Sequence, residues 1–79
     1  MRIIDSARKH GISDNAIQAA SWPAWVEPLD EKGEQWRELR LGFDTKARLL
    51  EMVVVCASDG DEVLIHAMKA RPKYIDLLP

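Results

Sequence analysis

A chain of 79 residues, 47% hydrophobic and 30% charged, has room for one folded domain over residues 1–79 and excludes a multidomain enzyme with separate cofactor and substrate lobes. Surface scaling gives about 4,900 Å² accessible when folded against about 13,000 Å² unfolded, enough burial for a small core. The longest apolar run, Met52 to Ala57, is far too short to span a bilayer, and the net charge of −2 argues on its face against a polyanionic ligand.

Taken in chain order, residues Ile3 to His10 read as a short helix stopped by Gly11, with Arg8, Lys9 and His10 at the negative end of its dipole. Ser13 then reads as an N-cap, with Asp14 in the first turn and Ile12 placed to staple against Ile17, so a second helix is expected from about Asp14 to Ala20, stopped by Pro23. From there the period changes to alternation. Ala24 to Leu29 fits a short edge strand, because Pro28 lacks a backbone donor. Asp30 to Gly33 reads as a turn. Over Glu34 to Phe43, the residues Arg37, Leu39, Leu41 and Phe43 share one face, opposite Trp36, Glu38 and Arg40. Ala47 to Ala57 is apolar on both faces, interrupted only by Glu51, as in a central strand. Asp59-Gly60 marks a hairpin, and Glu62 to Lys69 returns with Val63, Ile65 and Ala67 opposite Leu64, His66 and Met68. Lys73 to Leu78 fits either a last helical turn or an extended tail. The expected fold class is therefore α+β, two short N-terminal helices packed on a three- to four-stranded antiparallel sheet, with a short basic C-terminal tail.

The chain lacks the Walker, dinucleotide-binding, HExxH, CxxC and GxSxG signatures. A single cysteine, Cys56, allows no internal disulfide and no zinc site of thiolates alone. Mid-strand in an apolar run, it reads as a small buried hydrophobe rather than a nucleophile partnered by His66, and Glu51, Asp59, Asp61 and Glu62 read as solvated charges. Neither a metal nor a cofactor is expected. Met1 to Asp5 shows no apolar stretch before charge returns, so a cytoplasmic setting is expected.

The charges are unevenly spread. Residues 1–12 carry +2 and residues 66–79 carry +2, while residues 13–65 carry −6. Termini of small domains often lie close together, so two basic ends can form one cationic site. Lys, Arg, His and Tyr side chains can do one kind of chemistry unaided. They can cleave RNA through its own 2′-hydroxyl by taking a proton, stabilising the phosphorane and protonating the leaving oxygen. An aromatic such as Tyr74 or Trp25 can stack an unpaired base.

Two segments carry a resemblance. Ala7-Arg8-Lys9-His10-Gly11-Ile12-Ser13 is similar to the RKHGVS-type element near the start of the BrnT-type toxins of bacterial type II toxin–antitoxin systems. Residues Arg48 to Val55, the Asp-Gly hairpin and Val63 to Arg71 resemble that family's RLLVVVY strand, charged turn and I-x-x-AR-x-A segment. The resemblance covers about half the chain. It implies a RelE-like fold, a toxin that degrades RNA without a metal, a cognate antitoxin as partner, and operator DNA bound only through that antitoxin. By position it points to Lys9 and His10 in the first element, to Arg48, and to Lys69 and Arg71, with Lys73 and Tyr74 extending the set on the tail. Phosphate stabilisation falls to Arg48, Lys69 and Arg71, a catalytic proton transfer to His66 or Tyr74, and RNA binding to Arg8, Lys9, His10 and Lys73.

The chain departs from that family in two places. Pro72 and the apolar ending Ile75 to Pro79 replace an arginine-rich helix, and the opening strand is curtailed, which leaves Met1 to Ile4 as an alternative strand and the first helix as only a turn. The competing expectation is a non-enzymatic module that docks another protein, or a second copy of itself, through the apolar tail Tyr74 to Leu78 and the tryptophans.

Overall fold

A computed structural model describes residues 1–12 and 15–78. Four strands form an antiparallel meander: β2 (Trp25–Lys32), β3 (Gln35–Phe43), β4 (Leu49–Ala57) and β5 (Glu62–Lys69). A two-residue strand, β1 (Arg2–Ile3), adds in parallel to the other edge of β5 and completes a five-stranded mixed sheet in the order β1-β5-β4-β3-β2.

This corrects the expected two N-terminal helices on a three- to four-stranded antiparallel, RelE-like sheet. Ile3 sits opposite Leu64, and the extended Ile4 donates its N–H to the Leu64 carbonyl at 3.2 Å. The backbone groups that a first helix would have used are therefore spent on an open sheet edge. What remains before Gly11 is a four-residue 3₁₀ turn, Asp5–Arg8, since so short a stretch cannot meet the entropic cost of nucleating an α-helix. Strand plus turn is the alternative reading of this segment. The second helix is present as α1 (Asn15–Ser21), while the Ser13 cap and Asp14 lie outside the described residues. Ile12 is buried, and Ile17 packs against the same core.

The expected Asp30–Gly33 turn also shifts. Asp30, Glu31 and Lys32 continue β2, with Asp30 opposite Arg37 and their side chains paired at 2.6 Å. The chain reverses at Gly33–Glu34, where Gly33 has φ +64°, a left-handed conformation that glycine adopts without strain. Leu29 is an extra residue in β2, and this bulge together with Pro28 interrupts an edge that would otherwise offer regular pairing.

One face of the sheet carries the helical segments. Leu50, Met52, Val54 and Cys56 of β4 and Leu64 and Ala67 of β5 meet Ala7, Ile12, Ala16, Ala19 and Ala20. The alanines allow close approach, and Gly42 of β3 takes that approach to its limit. A β-carbon there would run into the Ala19 carbonyl oxygen and lie 3.4 Å from the Pro23 α-carbon. Because the obstacle is backbone, Gly42→Ala is expected to cost about 1–3 kcal/mol. Each kcal/mol lowers the melting temperature of so small a domain by roughly 4–8 °C, readable by thermal melting.

On the same face lies Arg40, 8% exposed. Its guanidinium donates to the Ala20 carbonyl at 2.9 Å, to Glu38 at 2.9 Å and to Glu62 at 2.6 Å, and Trp36 Nε1 donates to the second oxygen of Glu38 at 2.9 Å. The residue thus ties the C-terminal turn of α1 to β3 and β5. Burial disfavours its charge, and Glu62 and Glu38 outweigh burial, so its pKa is raised.

The opposite face holds Leu39 and Leu41 of β3, Glu51 and Val53 of β4, and His66 and Met68 of β5. Plain alternation would group Leu64 with His66 and Met68, but β5 carries a bulge. Val54 faces Leu64 while Val53 faces His66, so Ile65 is an extra residue. Leu64 and Ala67 therefore share the helix-covered face, and His66 turns to the other. After β5, Arg71 is extended, as a residue before proline tends to be, and Pro72 opens the helical turn α2 (Pro72–Ile75), so of the two readings of the basic tail the structure takes the helical turn. Among the described residues no helix is long and apolar enough to cross a membrane.

Candidate active site

Glu51 is the centre of the site. It lies mid-strand in the sheet's central strand, between Leu41 of β3 and Met68 of β5, with only 1% of its side chain exposed. A buried carboxylate is tolerated only when its lone pairs are used. Here Arg71 donates its backbone N–H at 2.9 Å and Nε at 2.8 Å to Oε1, and Nη2 at 2.8 Å to Oε2, while His66 Nε2 lies 3.1 Å from Oε2. The fork geometry of arginine suits this bidentate grip. The strand supplies the carboxylate, the bulge turns His66 toward it, and the extended residue before Pro72 brings Arg71 across it.

Burial pushes the Glu51 carboxyl up, and the Arg71 guanidinium, its backbone N–H and His66 outweigh burial, bringing the pKa down to about 2. The native carboxyl thus releases its proton more readily than an unfolded one at 4.5, so its contribution is fully present above about pH 4.5 and is lost as pH falls through about 2. In urea titrations over that window, on the order of 3 kcal/mol of stability is expected to disappear. A Glu51→Gln variant, which carries no proton to gain there, is expected to lack that part of the slope.

Around this centre stand other residues singled out from the sequence. The His10 ring meets the His66 ring edge-on, with centroids 5.7 Å apart and planes at 80°. The Arg71 guanidinium carbon lies 5.4 Å from the Tyr74 ring centre and Lys73 Nζ lies 4.8 Å from it, both within cation–π range. Arg71 remains 45% exposed, so its outer edge is open to a ligand. His10, His66, Arg71, Lys73 and Tyr74 therefore form one surface cluster, although they come from both ends of the chain.

The remaining candidates lie apart from it. Arg48 is turned onto Asp44, Nε to Oδ2 at 2.6 Å, and Asp44 Oδ1 also accepts the backbone N–H groups of Lys46 and Arg48. Its guanidinium clamps the β3–β4 loop. Lys69 faces Leu50 across the ladder and so projects to the helix-covered side, away from Glu51. Arg8 and Lys9 are exposed in the turn that precedes His10. Cys56 lies on the opposite face from His66, which excludes that nucleophile pair, and burial pushes its thiol pKa up.

Sequence reasoning missed Glu51, which it took for a solvated charge. The signal was available: a lone carboxylate between Leu50 and Met52 in an apolar strand implies a buried partner. Among the described residues, no group of three or more His, Cys, Asp and Glu side chains is placed to hold a metal ion. An open groove of about 310 Å³ lies far along β2 and β3, lined by Asp30, Trp36, Arg37 and Val55, and contains none of the clustered groups. Compared with known protein families, curated proteins and solved structures, the chain matches none.

Proposed function

We propose that this protein is an endoribonuclease toxin of the BrnT type, neutralised by a cognate antitoxin, and that its active site is the cluster around Glu51. The observation that carries the reading is the meeting of His10 and His66 beside Arg71, Lys73 and Tyr74. Two imidazoles can take and return protons near neutral pH. Arginine and lysine can hold a phosphodiester, and Tyr74 offers a ring for an unpaired base. His66 accepts the 2′-hydroxyl proton as the 2′-oxygen bonds to phosphorus. The phosphorus–5′-oxygen bond then breaks, and the departing oxygen takes a proton from a His10 imidazolium. The products are a 2′,3′-cyclic phosphate and a 5′-hydroxyl. The net charge of −2 is no obstacle, because the carboxylates concentrate in residues 13–65 and the cluster draws on the two basic ends.

The test is expression without an antitoxin together with incubation of the purified protein with single-stranded RNA in a chelator. Growth arrest and cyclic-phosphate ends are expected, with RNA methylated at the 2′-oxygen resistant. A folded protein that causes no arrest and cleaves no RNA overturns the reading and leaves the docking module.

A further inference from the structure

The contact between Glu51 and His66 determines where hydrogens sit. An ionised carboxylate can only accept a hydrogen bond. Oε2 lies 3.1 Å from His66 Nε2, so the hydrogen between them belongs to the imidazole. A neutral imidazole has a single N–H, and with that hydrogen on Nε2 the lone pair is left on Nδ1. The carboxylate cannot turn to follow the ring, because three further hydrogen bonds from Arg71 hold its two oxygens. The charged or titratable groups facing the His66 ring are thus Glu51 from β4 and His10 from the segment after the 3₁₀ turn, with Arg71 bound to the far side of the same carboxylate.

We propose that Glu51 is a positioning residue that holds His66 as its Nε2–H tautomer and so makes Nδ1 the nitrogen that takes the proton from the RNA 2′-hydroxyl. The choice of proton source rests on the ribonuclease reading above, whereas the tautomer does not. When Nδ1 takes the proton, the imidazolium that forms is already paired with a carboxylate. That stabilisation exists only after proton transfer begins, so it acts on the reaction more than on RNA binding.

Long-range proton–nitrogen correlation spectra of the nitrogen-15-labelled protein, taken where histidine is neutral, read the tautomer directly. A single His66 species protonated on Nε2 is expected. Histidine free in water already leans toward that form, so Glu51→Gln supplies the contrast. A carboxamide can donate as well as accept, and a mixture of tautomers is expected in the variant. Cleavage of a single-stranded RNA by that variant is expected to fall about 10³-fold or more with RNA affinity little changed. An Nδ1–H species in the native protein overturns the inference whether or not Glu51→Gln folds, and so does a folded variant whose tautomer does not move. An Nε2–H His66 in a protein without ribonuclease activity overturns the toxin reading and leaves the tautomer assignment standing.

Discussion

Arg40→Ala is expected to leave the domain largely unfolded in mild urea, at a loss of about 3–5 kcal/mol. A chain of this length is worth only about 4–12 kcal/mol in total. The substitution strands three partners together. Glu38 and Glu62 lose the cation between them, and the Ala20 carbonyl at the end of α1 loses its donor. Arg40 is nearly buried and Glu38 only 20% exposed, so water cannot easily replace what is lost. Salt is expected to change the result little, because buried charges are weakly screened. Combining Arg40→Met with Glu38→Gln and Glu62→Gln is expected to recover most of the loss, since an apolar stem then faces neutral groups. Urea midpoints of the parent, the single variant and the combined variant check this, and an Arg40→Ala variant as stable as the parent would refute the account.

The second large effect concerns activity. His66→Ala is expected to lower RNA cleavage by about 10²–10⁴-fold and to abolish growth arrest, as loss of a proton-transfer group does. Stability is expected to change by only about 1 kcal/mol, because Arg71 still occupies both oxygens of Glu51. Lys69→Ala, three residues along the same strand, is expected to leave cleavage within a few-fold, since Lys69 projects to the helix-covered side. Equal losses in the two variants would mean that general positive charge drives the reaction and that the cluster around Glu51 does not. Arg71→Ala is a less clean experiment. It removes two of the four hydrogen bonds on a buried carboxylate and leaves only the Arg71 backbone N–H and His66, so lost activity and lost stability would arrive together.

Much of the fold could be read from local pattern. The opposing faces of β3, the apolar centre of β4 and the Asp59-Gly60 reversal all follow from alternation and turn chemistry, which depend on neighbours in sequence. β1 could not be read this way. Two residues are too few for a periodic signal, and they become a strand only because the edge of β5, some sixty residues later, has backbone groups to satisfy. The site divides along the same line. His10, His66, Arg71, Lys73 and Tyr74 stand out by residue type, whereas the loop clamp made by Arg48 and the inward course of Glu51 depend on partners set by three-dimensional register. Arg40 and Glu62 are a further instance. Each sits in a half-polar stretch that looks solvated, and they meet across two strands under α1.

Ile65, the extra residue of β5, bears on how this chain is to be aligned with others. Against a relative whose last strand has no bulge, correct superposition requires a one-position gap between Leu64 and His66. An ungapped comparison anchored on Val63 and Leu64 would place every later residue one position out, matching His66 with a neighbour's core position and moving Arg71 off its carboxylate. A one-residue deletion at Ile65, conversely, is expected to preserve which face His66 occupies while straightening the strand beneath it.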